Sequence, residues 1–149
     1  MIRRLDPAAD PALADALAAL QRAAYRVEAE LVGSDEIPPL RQTGRDLAGA
    51  EEAFLGDPDW GFVATTRDGD HLDICRLVVH PLHHRRGLAT RLLDALDAVE
   101  TGVRRTTVST AAANAPALAL YERRGFAVVR TREAPAGLKL LDLERVEAG

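Results

Sequence analysis

The sequence predicts an α/β fold built on one sheet with helices packed against it. Three observations carry this reading. Three long stretches place apolar residues at helical spacing, and a fourth is short. Between them lie short β-branched runs bounded by Gly, Pro and Asp. The two kinds alternate in the order β-α-α-β-β-β-α-β-α-β-β, which suits a single mixed sheet. With 149 residues, 47% of them apolar and 28% charged, the chain has the size and composition of one soluble domain spanning 1–149.

Taken in order, Ile2 to Leu5 make a short first strand that Asp6-Pro7 breaks. Asp10-Pro11 supplies an N-cap and a first helical residue. From Leu13 the apolar positions 13, 17, 20, 24, 27 and 31 form one stripe of an amphipathic helix ending near Gly33. Ser34 to Pro39 reads as loop, since two prolines exclude a helix. Thr43 or a neighbour caps a short helix running to Ala50. Glu51 to Leu55 and Trp60 to Thr66 read as strands around a turn at Gly56–Asp59, and Asp68-Gly69 tips a hairpin. Leu72 to Val79 is apolar, β-branched and stopped by Pro81. The next helix starts near Gly87, carries apolar residues at 88, 92, 96 and 99, and ends before Gly102. Arg105 to Thr110 is a strand. Asn114 to Arg124 is a helix with Pro116 in its first turn and Gly125 just past its end. Phe126 to Thr131 and Leu138 to Leu143 are the last strands.

The stretch Leu72–Leu93 organises the rest. A strand, a basic turn with Arg85, Arg86 and Gly87, and a helix start make an anion site. Unpaired N–H groups of a first helical turn converge on one spot, and the helix dipole favours negative charge there. A phosphate or pyrophosphate suits this arrangement.

Composition narrows the function classes. A net charge of −4 argues against nucleic acid as the main partner. The basic residues are almost all arginine, which reads as a compositional bias rather than a binding surface. No apolar run approaches a membrane span, and Met1-Ile-Arg-Arg-Leu-Asp lacks the apolar core of a signal peptide. One cysteine, Cys75, allows no internal disulfide and no cysteine-built zinc site. A cytoplasmic protein is expected.

Two motifs carry a resemblance. Leu77-Val-Val-His-Pro-Leu-His-His-Arg-Arg-Gly-Leu-Ala89 resembles the acyl-CoA binding motif of the GNAT superfamily of N-acetyltransferases, which ends in Arg/Gln-x-x-Gly-x-Gly/Ala. Downstream, Asn114-x-x-Ala117-x-x-x-Tyr121-Glu-x-x-Gly125-Phe126 is similar to the second hallmark of that family. The family has Arg or Gln where this chain has His84.

The resemblance implies a mostly antiparallel sheet, flanked by about four helices, with one splayed parallel pair at 72–79 and 105–110. It implies acetyl-CoA as co-substrate and no metal. Leu77, Val78 and Val79 would hold the pantetheine arm as an added strand does. The turn of His84, Arg85, Arg86, Gly87, Leu88, Ala89 and Thr90 would hold the pyrophosphate. Asn114 and Ala117 would contact the arm. A backbone N–H near Val78 would stabilise the oxyanion as an acceptor amine attacks the thioester directly. Tyr121 would protonate the departing thiolate. A base must take the proton of the amine, which is largely charged at neutral pH. Asp73 is the first candidate and Glu36 the second. Asp35 and Glu36 lie in the acceptor loop, and their acidity suggests a cationic small-molecule or peptide amine. The fold is commonly homodimeric, and no stripe in this sequence dictates that.

Each residue also has a plainer role. Gly87 could be a turn glycine, Tyr121 a half-buried core tyrosine, Asn114 an N-cap and nothing more. Asp73 could pair with Arg76. Cys75 reads as a small buried hydrophobe. His71, His80, His83 and His84 lack a carboxylate at ligand spacing and read as exposed or coenzyme-neighbouring rather than as a metal set. The alternative to an enzyme is a non-catalytic acyl-CoA-binding sensor on the same fold.

Overall fold

Seven strands form one sheet in the order β1-β2-β3-β4-β5-β7-β6. They are β1 (Arg3–Leu5), β2 (Ala53–Asp57), β3 (Gly61–Asp68), β4 (His71–Val79), β5 (Arg105–Ala111), β6 (Ala127–Glu133) and β7 (Lys139–Val146). Four helices join them: α1 (Pro11–Val32), α2 (Gly44–Ala48), α3 (Leu88–Val99) and α4 (Ala115–Arg123). The computed structural model describes residues 1–33, 37–84 and 86–147. Every neighbouring pair is antiparallel except β4 and β5, which run parallel. The element order and the mixed sheet are those the sequence predicts.

The helix ends follow from local chemistry. The Asp10 carboxylate accepts from the N–H groups of Ala12 and Leu13, and Gly33 closes α1 in the left-handed region at φ 72°. The Asn114 side chain accepts from the N–H of Ala117 at the start of α4. Asp46 accepts from both the N–H and the hydroxyl of Thr43, bracing the start of α2. The two prolines at 38 and 39 do not prevent helical structure. They occupy the first positions of a 3-10 turn, Pro38–Arg41, where a missing N–H costs nothing.

The sheet separates two apolar cores. On one face, Leu92, Leu93 and Leu96 of α3 pack with Leu72, Ile74, Val108 and Leu143. On the other, Leu17, Ala18 and Leu20 of α1 pack with Phe54, Phe62, Ala64 and Val78. Ile74 and Val78 lie four residues apart on one strand yet face opposite cores. A bulge explains this: Thr65 pairs with Ile74 and Ala64 with Arg76, so Cys75 is an extra residue on β4. Cys75 is exposed, not the buried hydrophobe its neighbours suggest.

The bulge also marks where the sheet opens. Pairing of β4 with β5 runs from His71–Arg105 to Ile74–Val108 and stops. Beyond it β4 keeps its bonds to β3 as far as Val79, and β5 keeps its bonds to β7 as far as Ala111. Next to the bulge, Arg76 is buried and fully engaged. Its guanidinium forks onto Glu52 at 2.8 and 3.1 Å and donates to Gln21 Oε1 at 2.9 Å and to Gln42. Gln21 in turn donates to the Pro39 carbonyl at 3.1 Å. This network ties α1, the 38–42 segment and β4 together, with the buried charge balanced by its partner.

Candidate active site

The opening between β4 and β5 is a cleft of about 1320 Å³. Its floor is set by strand alternation. The His80 N–H donates to the Trp60 carbonyl at 2.8 Å, toward β3. Neighbouring strand residues direct their N–H and C=O to opposite edges, so those of Val79, and likewise Leu77, point into the opening. There they meet no strand of this sheet. The His84 ring reaches back, its Nε2 donating to the Val79 carbonyl at 2.9 Å.

The phosphate-sized end of the cleft lies at the start of α3. Helices α1 and α4 begin on side-chain caps, whereas α3 begins on Gly87 with none. Among the described residues no side chain caps its first N–H groups, which suits them to meet a ligand. Gly87 sits at φ 70°, a conformation that favours glycine, and a Cβ built there would meet nothing within 4 Å. The cradle is open rather than filled by packed side chains, which suits a diphosphate. Gly87, Leu88, Ala89 and Thr90 all line the cleft, as do His84, Leu77, Val79, Asn114, Ala117 and Tyr121. Arg86 is exposed and lies outside the lining. Asp35, Glu36 and Arg85 lie outside the described residues.

Two predicted residues stand elsewhere. Val78 is fully buried in the α1-side core and lines no part of the cleft. Its backbone faces β3, whereas the N–H groups of Leu77 and Val79 face the opening. Asp73 lies in the paired part of β4, before the strands separate, and is absent from the lining. Its Oδ1 accepts from the Thr107 hydroxyl at 2.6 Å, and that hydroxyl accepts from His71 Nε2 at 2.8 Å. The expected pairing with Arg76 is not made, because Arg76 is committed to Glu52.

Tyr121 projects from α4 with 4% of its surface exposed, its ring edge-on to Phe126 at 5.5 Å. Burial, then the nearby Tyr25 and Glu28, pushes its hydroxyl well above the usual phenol range. Cys75 lines the same cleft. Partial burial of its sulfur pushes its thiol up to about 11, so it stays protonated and poorly nucleophilic. Among the described residues no group of three His, Cys, Asp or Glu side chains could hold a metal ion.

Two lining residues were not singled out from the sequence. Tyr25 and Glu28 are three apart on α1, beside the apolar stripe, and both turn into the cleft. The signal was a polar Tyr-x-x-Glu on the margin of that stripe, which places both on one helix face. Asn114 Nδ2 donates to Glu28 at 2.9 Å. Burial raises the Glu28 carboxyl above its ordinary value, and the Asn114 bond only partly offsets that.

Comparison with known proteins agrees with this geometry. The chain is 34% identical over 132 residues to UPF0157 protein YqkA of Bacillus subtilis (strain 168), covering 86% of this chain and 38% of that one. It thus spans about two fifths of the length of that relative. Its fold is similar to the ribosomal-protein-S18-alanine N-acetyltransferase of Escherichia coli, with TM-score 0.75 and 22% identity over 100% of this chain and 96% of that one. It is also similar to the PaiA N-acetyltransferase of Thermoplasma acidophilum in complex with coenzyme A, with TM-score 0.73, 14% identity and 99% and 98% coverage. The model of the acetyltransferase (GNAT) family matches residues 18–126, across the opened strands, the Gly87 turn and the α4 tyrosine, and the chain belongs to that family.

Proposed function

We propose that this chain moves an acetyl group from acetyl-CoA to a primary amine, by direct attack while both substrates are bound. One observation carries the reading. A strand edge with outward Leu77 and Val79 groups lies beside an uncapped helix start at Gly87, in one continuous cleft. Acetyl-CoA supplies an activated thioester.

The N–H groups of Leu88, Ala89 and Thr90 bind its diphosphate, helped by the dipole of α3 and by the positive charge of Arg85 and Arg86. The Leu77 and Val79 edge takes the pantetheine amides as a partner strand would. Asn114 and Ala117 wall the arm on the α4 side. An N–H of the same β4 edge polarises the thioester carbonyl. Tyr121 then donates a hydrogen bond to the departing sulfur. Its raised hydroxyl keeps it protonated throughout the working range, and full proton transfer to a thiolate is uphill. The effect of Tyr121 is therefore modest, about tenfold. Asp35 and Glu36 belong to this reading as acceptor contacts, on sequence alone.

Isothermal titration with acetyl-CoA tests the assignment, followed by release of free thiol with a diverse amine library. Saturable binding and amine-dependent thiol release are expected. Tyr121→Phe should lower kcat about tenfold with coenzyme affinity intact. Binding without transfer to any amine would instead identify a sensor, and no binding would remove the reading altogether.

A further inference from the structure

We propose that Glu28 receives the ammonium of the acceptor and takes its proton, and that the acceptor is a primary amine with one positive charge on an apolar body. The inference rests on the acetyl-transfer reading and names a candidate base that lines the cleft, as Asp73 does not.

Among the described residues, Glu28 is the one carboxylate lining the cleft. It is held by a neutral donor, Asn114 Nδ2 at 2.9 Å. The orientation of that amide is fixed, because its Oδ1 accepts from the Ala117 N–H at 3.3 Å. Arg76, a buried cation that also lines the cleft, is spent on Glu52 at 2.8 Å. The salt bridges among the described residues include none to Glu28. A half-buried carboxylate with an amide neighbour and no charged partner among the described residues is poorly compensated, and a cation brought by a ligand would complete it. Its location is suited to that ligand. Asn114 caps α4, the helix that carries Tyr121, so its 2.9 Å bond to Glu28 joins the carboxylate to the helix of the proposed thiolate donor, and both side chains line the one cleft. Burial, by raising the carboxyl, makes it a stronger base toward an ammonium.

Other residues lining the cleft suggest the rest of the acceptor. Val27, Leu31, Ile37 and Pro38 present apolar surface. Arg41 and Arg123 line the same cleft and disfavour a second positive charge. An alkylammonium fits: its head meets Glu28, its stem lies on the apolar wall. In the transfer, the Glu28 carboxylate first takes one proton from the bound ammonium and passes it to solvent; the neutral amine then attacks, and as the C–N bond forms and the C–S bond breaks its second N–H proton passes to Glu28 while the coenzyme sulfur leaves as the thiolate that Tyr121 hydrogen-bonds. The carboxyl returns the proton to solvent.

The probe is n-hexylamine with wild type, Glu28→Gln and Glu28→Asp, followed by thiol release, with acetyl-CoA titrated calorimetrically into each. n-Hexanol serves as an uncharged competitor, and spermidine as a polycation. The expected result is hexylamine turnover by wild type and a fall in kcat/KM of about 100-fold in Glu28→Gln. Acetyl-CoA and hexanol affinities should be unchanged, with an intermediate rate for Glu28→Asp. The acid limb of the wild-type kcat/KM profile should vanish in Glu28→Gln. The groups facing Glu28 are Tyr25 on its own helix and Asn114 and Tyr121 from the α4 side; Arg41, Arg76, Arg123, His83 and His84 line the cleft more widely. Normal acetyl-CoA binding with hexylamine turnover equal in wild type and Glu28→Gln, or absent from wild type, would overturn the proposal. So would a preference for spermidine. Failure of wild type to bind acetyl-CoA would instead overturn the acetyl-transfer reading.

Discussion

Glu28 and Asp142 are both carboxylates near the opened half of the sheet, and their surroundings push them in opposite directions. Asp142, on β7, accepts from Ser109 Oγ at 2.6 Å, Arg130 Nε at 2.8 Å and Arg132 Nη2 at 3.0 Å. Ser109 is its register partner on β5, and Arg130 its partner on β6. The Arg132 hydrogen bond above all, and then those of Ser109 and Arg130, hold its carboxyl well below the usual range. Glu28 has one amide donor, and burial raises it. Sheet register sets Ser109 and Arg130 opposite Asp142 and brings Arg132 to it diagonally from opposite Leu140, whereas the cleft leaves Glu28 a place for a partner. Fully satisfied carboxylates brace a fold; one left short of countercharge beside a cleft is the candidate for chemistry.

The largest test places a third carboxylate where the fold has prepared an anion site. Gly87→Glu should weaken acetyl-CoA binding by at least about 100-fold, near 2.7 kcal/mol, by calorimetry. The new side chain competes for the cradle and repels the diphosphate. Its φ of 70° adds a backbone cost of about 1 kcal/mol.

Glu28→Gln sharpens the contrast through stability. A carboxyl raised in the folded state contributes stability below its unfolded pKa and loses it as pH rises through the folded value. The substitution should therefore raise Tm by about 2–4 °C at pH 8 and change it little at pH 4, by calorimetric melting. Equal gains at both pH values would show that burial, not charge, is relieved.

Asp142→Asn has the opposite sign. A depressed carboxyl contributes stability above its unfolded pKa and loses it as pH falls through the folded value. Its arginine partners are largely exposed, with 41% and 68% of the Arg132 and Arg130 side chains accessible. The loss at pH 7 is then about 1 kcal/mol in urea unfolding, and disappears in acid. The smallest effect belongs to His84→Ala. It removes a side-chain bond to the Val79 carbonyl but no main-chain donor of the cradle. Coenzyme affinity should change by less than about threefold.

Much of the fold, and the uncapped start of α3 at Gly87, was legible in the sequence. Asp10, Asn114, Gly33 and Gly125 each mark a helix end by their own conformational or hydrogen-bonding preference, and Gly87 marks the turn before α3. That Val78 and Asp73 lie outside the cleft lining is not legible in the sequence. Leu72–Val79 is nearly continuous in apolar character, so nothing in it reveals the bulge at Cys75 or which groups face the opening. Tyr25 and Glu28 were passed over because a polar pair beside an apolar stripe looks like a solvated margin until the facing elements are known.

Local chemistry written along the chain determined where helices begin and end, the order of the strands, and the uncapped start of α3. Those depend on residues within a turn of one another. Tertiary structure alone decided that β4 and β5 part after Ile74 and Val108, that Arg76 pairs with Glu52, and that Glu28 reaches the cleft beside Asn114. Register and countercharge are properties of two segments far apart in sequence, and they exist only once those segments have met.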